Sequence, residues 1–356
     1  MSEITFETLR AELDGLRVPA GEARNLRWLA KALAIARNAS GDYEIFIRGP
    51  ELHAASSLVR RHLQHGEWRP QEGGASFFAS RVVLPSAPHF GSVSALISVE
   101  LLRAGLVSEG DAQGAFSAVE PIIEIAIRRG ALPENVVVGL IGELIVLRQC
   151  LISLGKKTHL QGDLLECWCG WQVGGRDFLF GESAIEVKTT QAASSSHEFS
   201  GLHQLEEVQL PNGAHEQLHL LSIGLQASTV AGESLSVLVD QLLGMLRERD
   251  KSPAGPLQTT LLSHIEHYGS SNGVGYRHAT MKDWSVYQTR YTHSFSPRLY
   301  RVADPSMRLL RREEVSLTYV VPSSLSFTLH FPDSVSAFNP APSWQAELSH
   351  FVQRLG

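Results

Sequence analysis

The segment from Asn135 to Leu154 is the strongest constraint on the fold, because it predicts a helix that is apolar on almost every side. Between residues 136 and 147 the only charged side chain is that of Glu143. A helix without a polar face is normally buried in a protein core. An ionised carboxylate in such a place costs several kcal/mol unless it is protonated, paired or close to a cation. The fold must therefore give Glu143 a partner, either Arg148, another arginine or a bound cation.

Two glycines in the same segment bear on its packing. Gly139 and Gly142 each weaken a helix by about 1 kcal/mol relative to alanine, which predicts close approach of another backbone on that side. The most apolar run is too short for the ~20 residues of a membrane crossing, so we expect no transmembrane span. The N-terminus lacks the basic and apolar regions of a secretory signal, which predicts a cytoplasmic protein.

Length and composition predict a folded chain of more than one domain. The protein has 356 residues, of which 43% are hydrophobic and 19% charged, far from the composition of disordered chains. A glycine stop followed by a proline start near residue 130 suggests a boundary. We predict an N-terminal α+β accessory domain at 1–128, a central core domain at 129–230, and a helical and β-containing region at 231–356. Three cysteines fit neither a disulfide framework nor a zinc site and are expected to be reduced.

The order of predicted elements indicates an α/β (mixed α+β) fold, with a mixed sheet flanked by helices. Apolar periodicity predicts helices at 26–39, 93–102, 135–154, 235–249 and 344–355. Runs rich in β-branched and aromatic residues predict strands at 43–48, 76–84, 218–226, 315–321 and 326–331.

Residues 177 to 188 predict a β-hairpin whose two-residue turn is Gly181-Glu182, with glycine first as a type II′ turn prefers. Counting outward in antiparallel register places Asp177 opposite Glu186, with both carboxylates on one face. Lys188 follows two residues later and shares that face. The hairpin therefore predicts a cluster of two acids and one lysine.

Two adjacent carboxylates repel each other unless a positive ion lies between them. Mg²⁺ suits this need, with Mn²⁺ as a substitute, because it takes oxygen ligands and retains several waters. We expect Asp177, Glu186 and the backbone carbonyl of Val187 to bind it, with Glu143 as a third carboxylate. Lys188 would orient a metal-bound water or stabilise developing charge during phosphodiester hydrolysis. The alternative is a surface hairpin with a cross-strand ion pair.

A further candidate lies downstream, where residues 199–205 predict the start of a helix with Ser200 as its cap. Gln204 would then lie on the first turns of that helix. Its amide could hydrogen-bond a scissile phosphate or a metal-bound water, or it could be an ordinary exposed glutamine.

In chain order, Glu143, Asp177, Glu186 with Lys188, and Gln204 resemble the motif of PD-(D/E)XK nucleases. The likeness extends through Gly139–Leu144, Trp171, Ile185–Thr190 and Leu205 to a bacterial family grouped with these nucleases and found in anti-phage defence gene clusters. This resemblance implies a restriction-endonuclease-like fold and a Mg²⁺-dependent endonuclease whose substrate is DNA. It also implies protein partners of the ATPase or helicase-like kind. One departure is Arg176, which stands where the name of the motif has proline.

Charge qualifies this interpretation. The net charge is −6, whereas a domain that binds nucleic acid unaided usually carries a basic stripe. Arginine, which suits bidentate phosphate contacts, nevertheless supplies most of the 31 basic residues. We therefore expect an endonuclease targeted by partners; the alternative is a catalytically silent nuclease-fold subunit that assembles a defence complex. Oligomeric state, and a preference for DNA over RNA, are left open by the sequence.

Overall fold

The computed structural model describes residues 4–69, 75–86, 88–108, 112–172, 174–210, 212–246, 255–269 and 274–355. Contacts within the chain divide it into two units: Met1–Leu132 together with Ser271–Val274, and Pro133–Ser270 together with Gly275–Gly356. The predicted domain limits at residues 128 and 230 stay predictions. The sheet of the second unit takes strands from both sides of residue 230.

The first unit combines an antiparallel sheet with four helices. Its sheet has the strand order β1-β2-β3-β5-β4. The elements are α1 (Phe6–Gly15), β1 (Arg24–Trp28), β2 (Leu33–Asn38), β3 (Tyr43–Arg48), α2 (Ser57–His62), β4 (Leu63–Trp68), β5 (Phe77–Leu84), α3 (Pro88–Arg103) and α4 (Ala112–Gly130). Helices α1 and α3 pack against strands β2 and β3.

The predicted helix at 26–39 is wrong, because this segment forms β1, a turn and β2. In β2, Leu33 and Ile35 alternate with Ala34 and Ala36, and all four side chains are buried. A strand that is buried on both faces carries apolar residues at successive positions, so it also satisfies helical spacing. Hydrogen bonding of β2 to β3 makes this stretch a strand rather than a helix.

The second unit contains a four-stranded mixed sheet with the order β10-β9-β7-β6. Strands β7 and β9 are parallel, and the other pairs are antiparallel. Its strands are β6 (Phe178–Phe180), β7 (Ser183–Thr190), β8 (Ser196–Phe199), β9 (Gln217–Ser228), β10 (Arg290–Arg301) and β11 (Phe327–His330). Its helices are α5 (Glu134–Leu154), α6 (Gln161–Cys167), α7 (Leu235–Met245), α8 (Pro256–His267), α9 (His278–Met281), α10 (Ser285–Gln288), α11 (Arg312–Ser316) and α12 (Trp344–Gln353).

Two layers cover the four-stranded sheet. Helix α5 packs on β7, α7 and α12, and α12 also contacts β10. The other face is covered by the two-stranded pair of β8 and β11, with a core that includes Ala184, Leu220, Phe199, Tyr300 and Phe331. The apolar helix α5 is therefore the central helix of this unit, as its composition predicts.

Close packing between α5 and the sheet explains Gly142. A Cβ added there would lie 2.2 Å from Cγ2 of Thr189 on β7, which is closer than any real contact. A Cβ at Gly139 would lie 3.0 Å from the hydroxyl of Tyr268. The close neighbours are thus side chains rather than the backbone that the two glycines predict.

The predicted strand at 315–321 is wrong. Val315 lies in α11, which ends at Ser316, and the rest of this stretch forms no strand. Leu317 and Tyr319 are exposed, and no strand of the described residues pairs with this stretch. A β-branched run becomes a strand only where a partner edge accepts its backbone hydrogen bonds.

One stretch, residues 112–154, is long and apolar enough to cross a membrane by length and composition alone. It consists of α4 and α5, and most of its most apolar part is buried within the structure. Core helices of globular proteins have the same composition when they are buried on all sides.

Candidate active site

The hairpin of β6 and β7 brings Asp177 and Glu186 together. Phe180 pairs with Ser183 across a two-residue turn, and Gly181 has a φ of 62°, which suits glycine. Continuing this register places Asp177, just before β6, across from Glu186. The backbone N–H of Val187 donates to Oδ2 of Asp177 at 2.6 Å. Asp177 lies just outside β6, so its side chain accepts a hydrogen bond from the neighbouring strand β7.

Lys188 completes the cluster on the same face of β7. Its Nζ lies 3.0 Å from Oε1 of Glu186, and the ammonium also lies 5.1 Å from the ring centroid of Phe199. The lysine side chain is 18% exposed and that of Glu186 is 7% exposed, so this ion pair is only partly accessible to solvent. A surface hairpin with a solvated ion pair does not describe this arrangement.

Glu143 reaches the same region from α5 and is 4% exposed. The indole Nε1 of Trp168 donates to Oε2 at 2.7 Å, and the hydroxyl of Tyr268 donates to Oε1 at 2.7 Å. Arg148 is not its partner, because that guanidinium pairs with Glu233 at 2.7 Å. Sequence reasoning missed Trp168 and Tyr268, which lie 25 and 125 positions from Glu143 along the chain.

The three carboxylates influence one another electrostatically. Burial raises the pKa of Glu143 to about 7, although the Trp168 and Tyr268 hydrogen bonds and Lys188 act against this rise. Burial also raises the pKa of Asp177 well above its usual value, and the charges of Glu143 and Glu186 raise it further. The raised pKa values of Glu143 and Asp177 show that full ionisation of this region is costly while Lys188 is the one cation of the described cluster.

The donor set fits a hard divalent cation. Among the described residues, no group of three His, Cys, Asp or Glu side chains is arranged to hold a metal ion by itself. Mg²⁺ commonly uses one or two carboxylates with several waters, and Asp177 and Glu186 meet that requirement. In an extended residue the carbonyl points to the same side as the N–H, so the Val187 carbonyl faces the Asp177 side. Glu143 accepts one hydrogen bond on each oxygen, and each oxygen keeps a further lone pair, so its role as a third carboxylate ligand stays a prediction.

Gln204 is not brought to the carboxylates by the predicted helix. Residues Leu202–Leu205 form a single 3-10 turn that follows Gly201, so Ser200 is not a helix cap. The backbone N–H of Ser200 donates to Oε1 of Gln204 at 3.3 Å. Within the part of the chain that the structure describes, Gln204 makes no hydrogen bond to the three acids.

Arg176 takes a role that its sequence position does not reveal. Its guanidinium donates to Glu216 at 2.6 Å and to the carbonyls of His203 at 3.0 Å and Glu206 at 2.5 Å. These carbonyls flank Gln204, so Arg176 connects the Gln204 turn to the residue next to Asp177. An arginine in the proline position therefore fixes the loops around the acids.

The raised pKa of Glu143 predicts a pH-dependent effect of Glu143→Gln in protein held in EDTA. Folding raises the pKa from 4.5 to about 7, so the folded state binds the proton more tightly and stability is lost as pH rises through this window. Glutamine lacks this titration but can still accept from Trp168 and donate to Tyr268. We expect the variant to gain about 3 kcal/mol relative to wild type between about pH 5 and pH 8.

Urea unfolding at both pH values measures this difference, with Glu166→Gln at an exposed position as the control. The same pH dependence in Glu143→Gln and wild-type protein would contradict the pKa assigned to Glu143.

Comparison with known proteins agrees with this geometry. Residues 125–292 match the model of a family described as "Putative PD-(D/E)XK family member". Neither the comparison with curated proteins nor that with solved structures gave a significant match. The matched segment contains Glu143, the β6–β7 hairpin and Tyr268, and its mixed α+β core agrees with a PD-(D/E)XK nuclease-like fold. Residues 125–292, slightly less than half of the chain, are therefore similar to this family of putative PD-(D/E)XK members.

Proposed function

We propose that this protein is a Mg²⁺-dependent endonuclease that hydrolyses phosphodiester bonds of DNA. The observation that carries the proposal is the convergence of Asp177, Glu186 and Lys188 on one face of a buried hairpin. Two carboxylates and a lysine with restricted exposure suit phosphoryl chemistry, which depends mainly on positioning and electrostatic stabilisation. The family match supports the nuclease class.

Asp177, Glu186 and the Val187 carbonyl would hold the cation. When bound, Mg²⁺ polarises a phosphoryl oxygen and lowers the pKa of a coordinated water. The Val187 N–H holds Asp177 for this task by bonding Oδ2, and Oδ1 accepts no hydrogen bond within the described part of the chain. Glu143 lies beside these groups, and hydrogen bonds from Trp168 and Tyr268 fix its orientation.

Lys188 is the one positive group of the described cluster. Its ammonium can donate to a phosphate oxygen and to an attacking water while it remains near Glu186. The ammonium itself lies 5.1 Å from the centroid of the Phe199 ring, which favours this position of the charge. A fixed cation stabilises charge that develops during hydrolysis without reorganisation at the moment of reaction.

Supercoiled plasmid cleavage tests the proposal. Wild-type protein should nick or linearise plasmid in Mg²⁺ or Mn²⁺ and should be inactive in EDTA. Asp177→Asn should lower the rate by about 10²-fold or more, because it removes a ligand charge. Glu182→Gln, in the exposed turn of the same hairpin, is the matched control and should cleave like wild type.

Cleavage that persists unchanged in Asp177→Asn protein would rule out this site as its source. No cleavage by wild-type protein, combined with no Mn²⁺ binding by calorimetry, would favour a catalytically silent subunit.

We extend the proposal to a cytoplasmic nuclease effector in a multi-component anti-phage defence system, targeted by ATPase or helicase-like partners. The net charge of −6 supports dependence on partners, because phosphate neutralisation supplies most non-specific DNA affinity. Phage plating on cells with the complete gene cluster tests it. Glu186→Ala should remove protection, whereas full protection by that variant would favour an assembly role without catalysis.

A further inference from the structure

A polar cavity lies in the unit that begins at Pro133, between the β9–β10 ladder and α12. Its volume is about 350 Å³, within the range of small-ligand sites. The lining residues come from both strands, from α12 with its C-cap, and from the loop before that helix: Gln217, His219, Leu299, Arg301, Phe338, Ala341, Glu347, His350, Phe351 and Arg354.

Regular secondary structure fixes the walls of this cavity. Arg301 pairs directly with His219 across the β9–β10 ladder. On α12, Glu347, Phe351 and Arg354 are separated by four and three positions and therefore share one face. The cavity is thus formed by rigid elements, which is what a specific ligand site requires.

Two arginines give the cavity its positive charge. Among the described residues, neither Arg301 nor Arg354 lies within ion-pair distance of a carboxylate; Arg354 hydrogen-bonds Nε2 of His350 at 3.0 Å. Burial lowers the pKa of His219, and Arg301 lowers it further, although Glu347 acts in the opposite direction. Two guanidinium groups then face the single carboxylate of Glu347. Arginine pairs of this kind suit a phosphate, which they bind bidentately.

An aromatic ring stands at the rim of the same cavity. Phe338 is 82% exposed, an unusual state for so large an apolar side chain. Its loop is nevertheless fixed, because the Asn339 side chain bonds both the N–H and the carbonyl of Arg301 at 3.1 Å. The Ala341 N–H also donates to the Leu299 carbonyl at 2.8 Å. An exposed ring held beside arginines is the usual surface for stacking a nucleobase.

We infer that this cavity binds a nucleoside 5′-phosphate, with the phosphate on Arg301 and Arg354 and the base against Phe338. Glu347 and Gln217 are placed to bond the sugar hydroxyls or the base edge. A free nucleotide and the phosphorylated 5′ end of a nucleic-acid strand both present such a phosphate and base.

The cavity is separate from the carboxylate site. His219 pairs with Ile185 on β7, and Ile185 is adjacent to Glu186 in the chain. Successive side chains of a strand point to opposite faces, so His219 and Glu186 lie on opposite faces of the sheet. Ligand binding in this cavity does not require the proposed hydrolysis, so a negative result for either one leaves the other unchanged.

Calorimetry on the full chain in EDTA tests the inference with 5′-AMP, adenosine, and short oligonucleotides with and without a 5′-phosphate. We expect 5′-AMP to bind at least tenfold more tightly than adenosine. Arg301→Ala and Arg354→Ala should each weaken 5′-AMP binding by about 10- to 100-fold, and Phe338→Ala by about fivefold or more. Arg290→Ala removes an exposed arginine at the start of the same strand and should bind like wild type.

The oligonucleotides distinguish the two sources. Tighter binding of the phosphorylated strand than of 5′-AMP identifies a strand end as the ligand, and weaker binding identifies the free nucleotide. Equal binding of 5′-AMP and adenosine, absence of 5′-AMP binding at millimolar concentration, or an equal loss in Arg290→Ala would overturn the inference. Phe338→Ala changes only an exposed side chain and keeps the test valid if an arginine variant misfolds.

Discussion

Lys188→Ala is expected to lower the single-turnover rate of DNA cleavage in Mg²⁺ by about 10²- to 10³-fold while Mg²⁺ affinity stays the same or rises. The ammonium lies 3.0 Å from Glu186, so its removal takes a positive charge away from a proposed ligand. Cation binding should therefore not weaken, and the loss should fall on the chemical step. Lys188→Arg should recover part of the rate, because it keeps the charge but changes the geometry.

Single-turnover cleavage and Mn²⁺ calorimetry on the same preparations measure the two effects separately. Lys157→Ala removes an exposed lysine of the same unit and serves as the control. A variant at Lys188 that cleaves at the wild-type rate would remove the lysine from the mechanism. Loss of cation binding in Lys188→Ala would instead show that the lysine holds the hairpin in place.

Arg176→Ala is expected to cost about 3 to 5 kcal/mol in the free energy of unfolding, because it leaves the Glu216 carboxylate buried without its cation. The side chains of Arg176 and Glu216 are only 10% and 3% exposed. The guanidinium also serves two backbone carbonyls, those of His203 and Glu206, which would lose a donor. Few surface substitutions have effects of this size.

A second arginine–glutamate pair in the same unit provides a matched control. Arg312 bonds Glu206 at 2.6 Å, but its side chain is 59% exposed. Urea unfolding should give a much smaller loss for Arg312→Ala, because solvent screens this exposed pair. A similar loss in the free energy of unfolding for the two variants would contradict a stabilising role for burial of the Arg176–Glu216 pair. The double variant Arg176→Ala/Glu216→Ala should cost less than Arg176→Ala, since no unpaired carboxylate is left.

The hairpin could be predicted from sequence because its register depends on local rules. A glycine turn and alternation within twelve residues determine that Asp177 faces Glu186, and the structure has the same pairing. The burial of α5 could be predicted for a similar reason, since composition alone excludes an exposed face. Both predictions need no knowledge of distant segments.

Features that depend on distant segments could not be predicted. The chain between residues 26 and 39 satisfies helical spacing, and only pairing with β3 shows that it is two strands. Gln204 lies in a turn whose shape depends on Arg176 and Glu216, so the predicted helix start misplaced it. The donors to Glu143 come from Trp168 and Tyr268, which no spacing rule connects to it.

The hydrogen bond from Tyr268 to Glu143 determines how this protein can be divided experimentally. A fragment that stops before residue 268 keeps Asp177, Glu186 and Lys188 but removes one of the two donors that hold the buried glutamate. Such a fragment would retain the recognisable motif and lose the environment that orients it. Truncation before residue 268 is therefore expected to abolish the proposed cleavage activity without removing Asp177, Glu186 or Lys188.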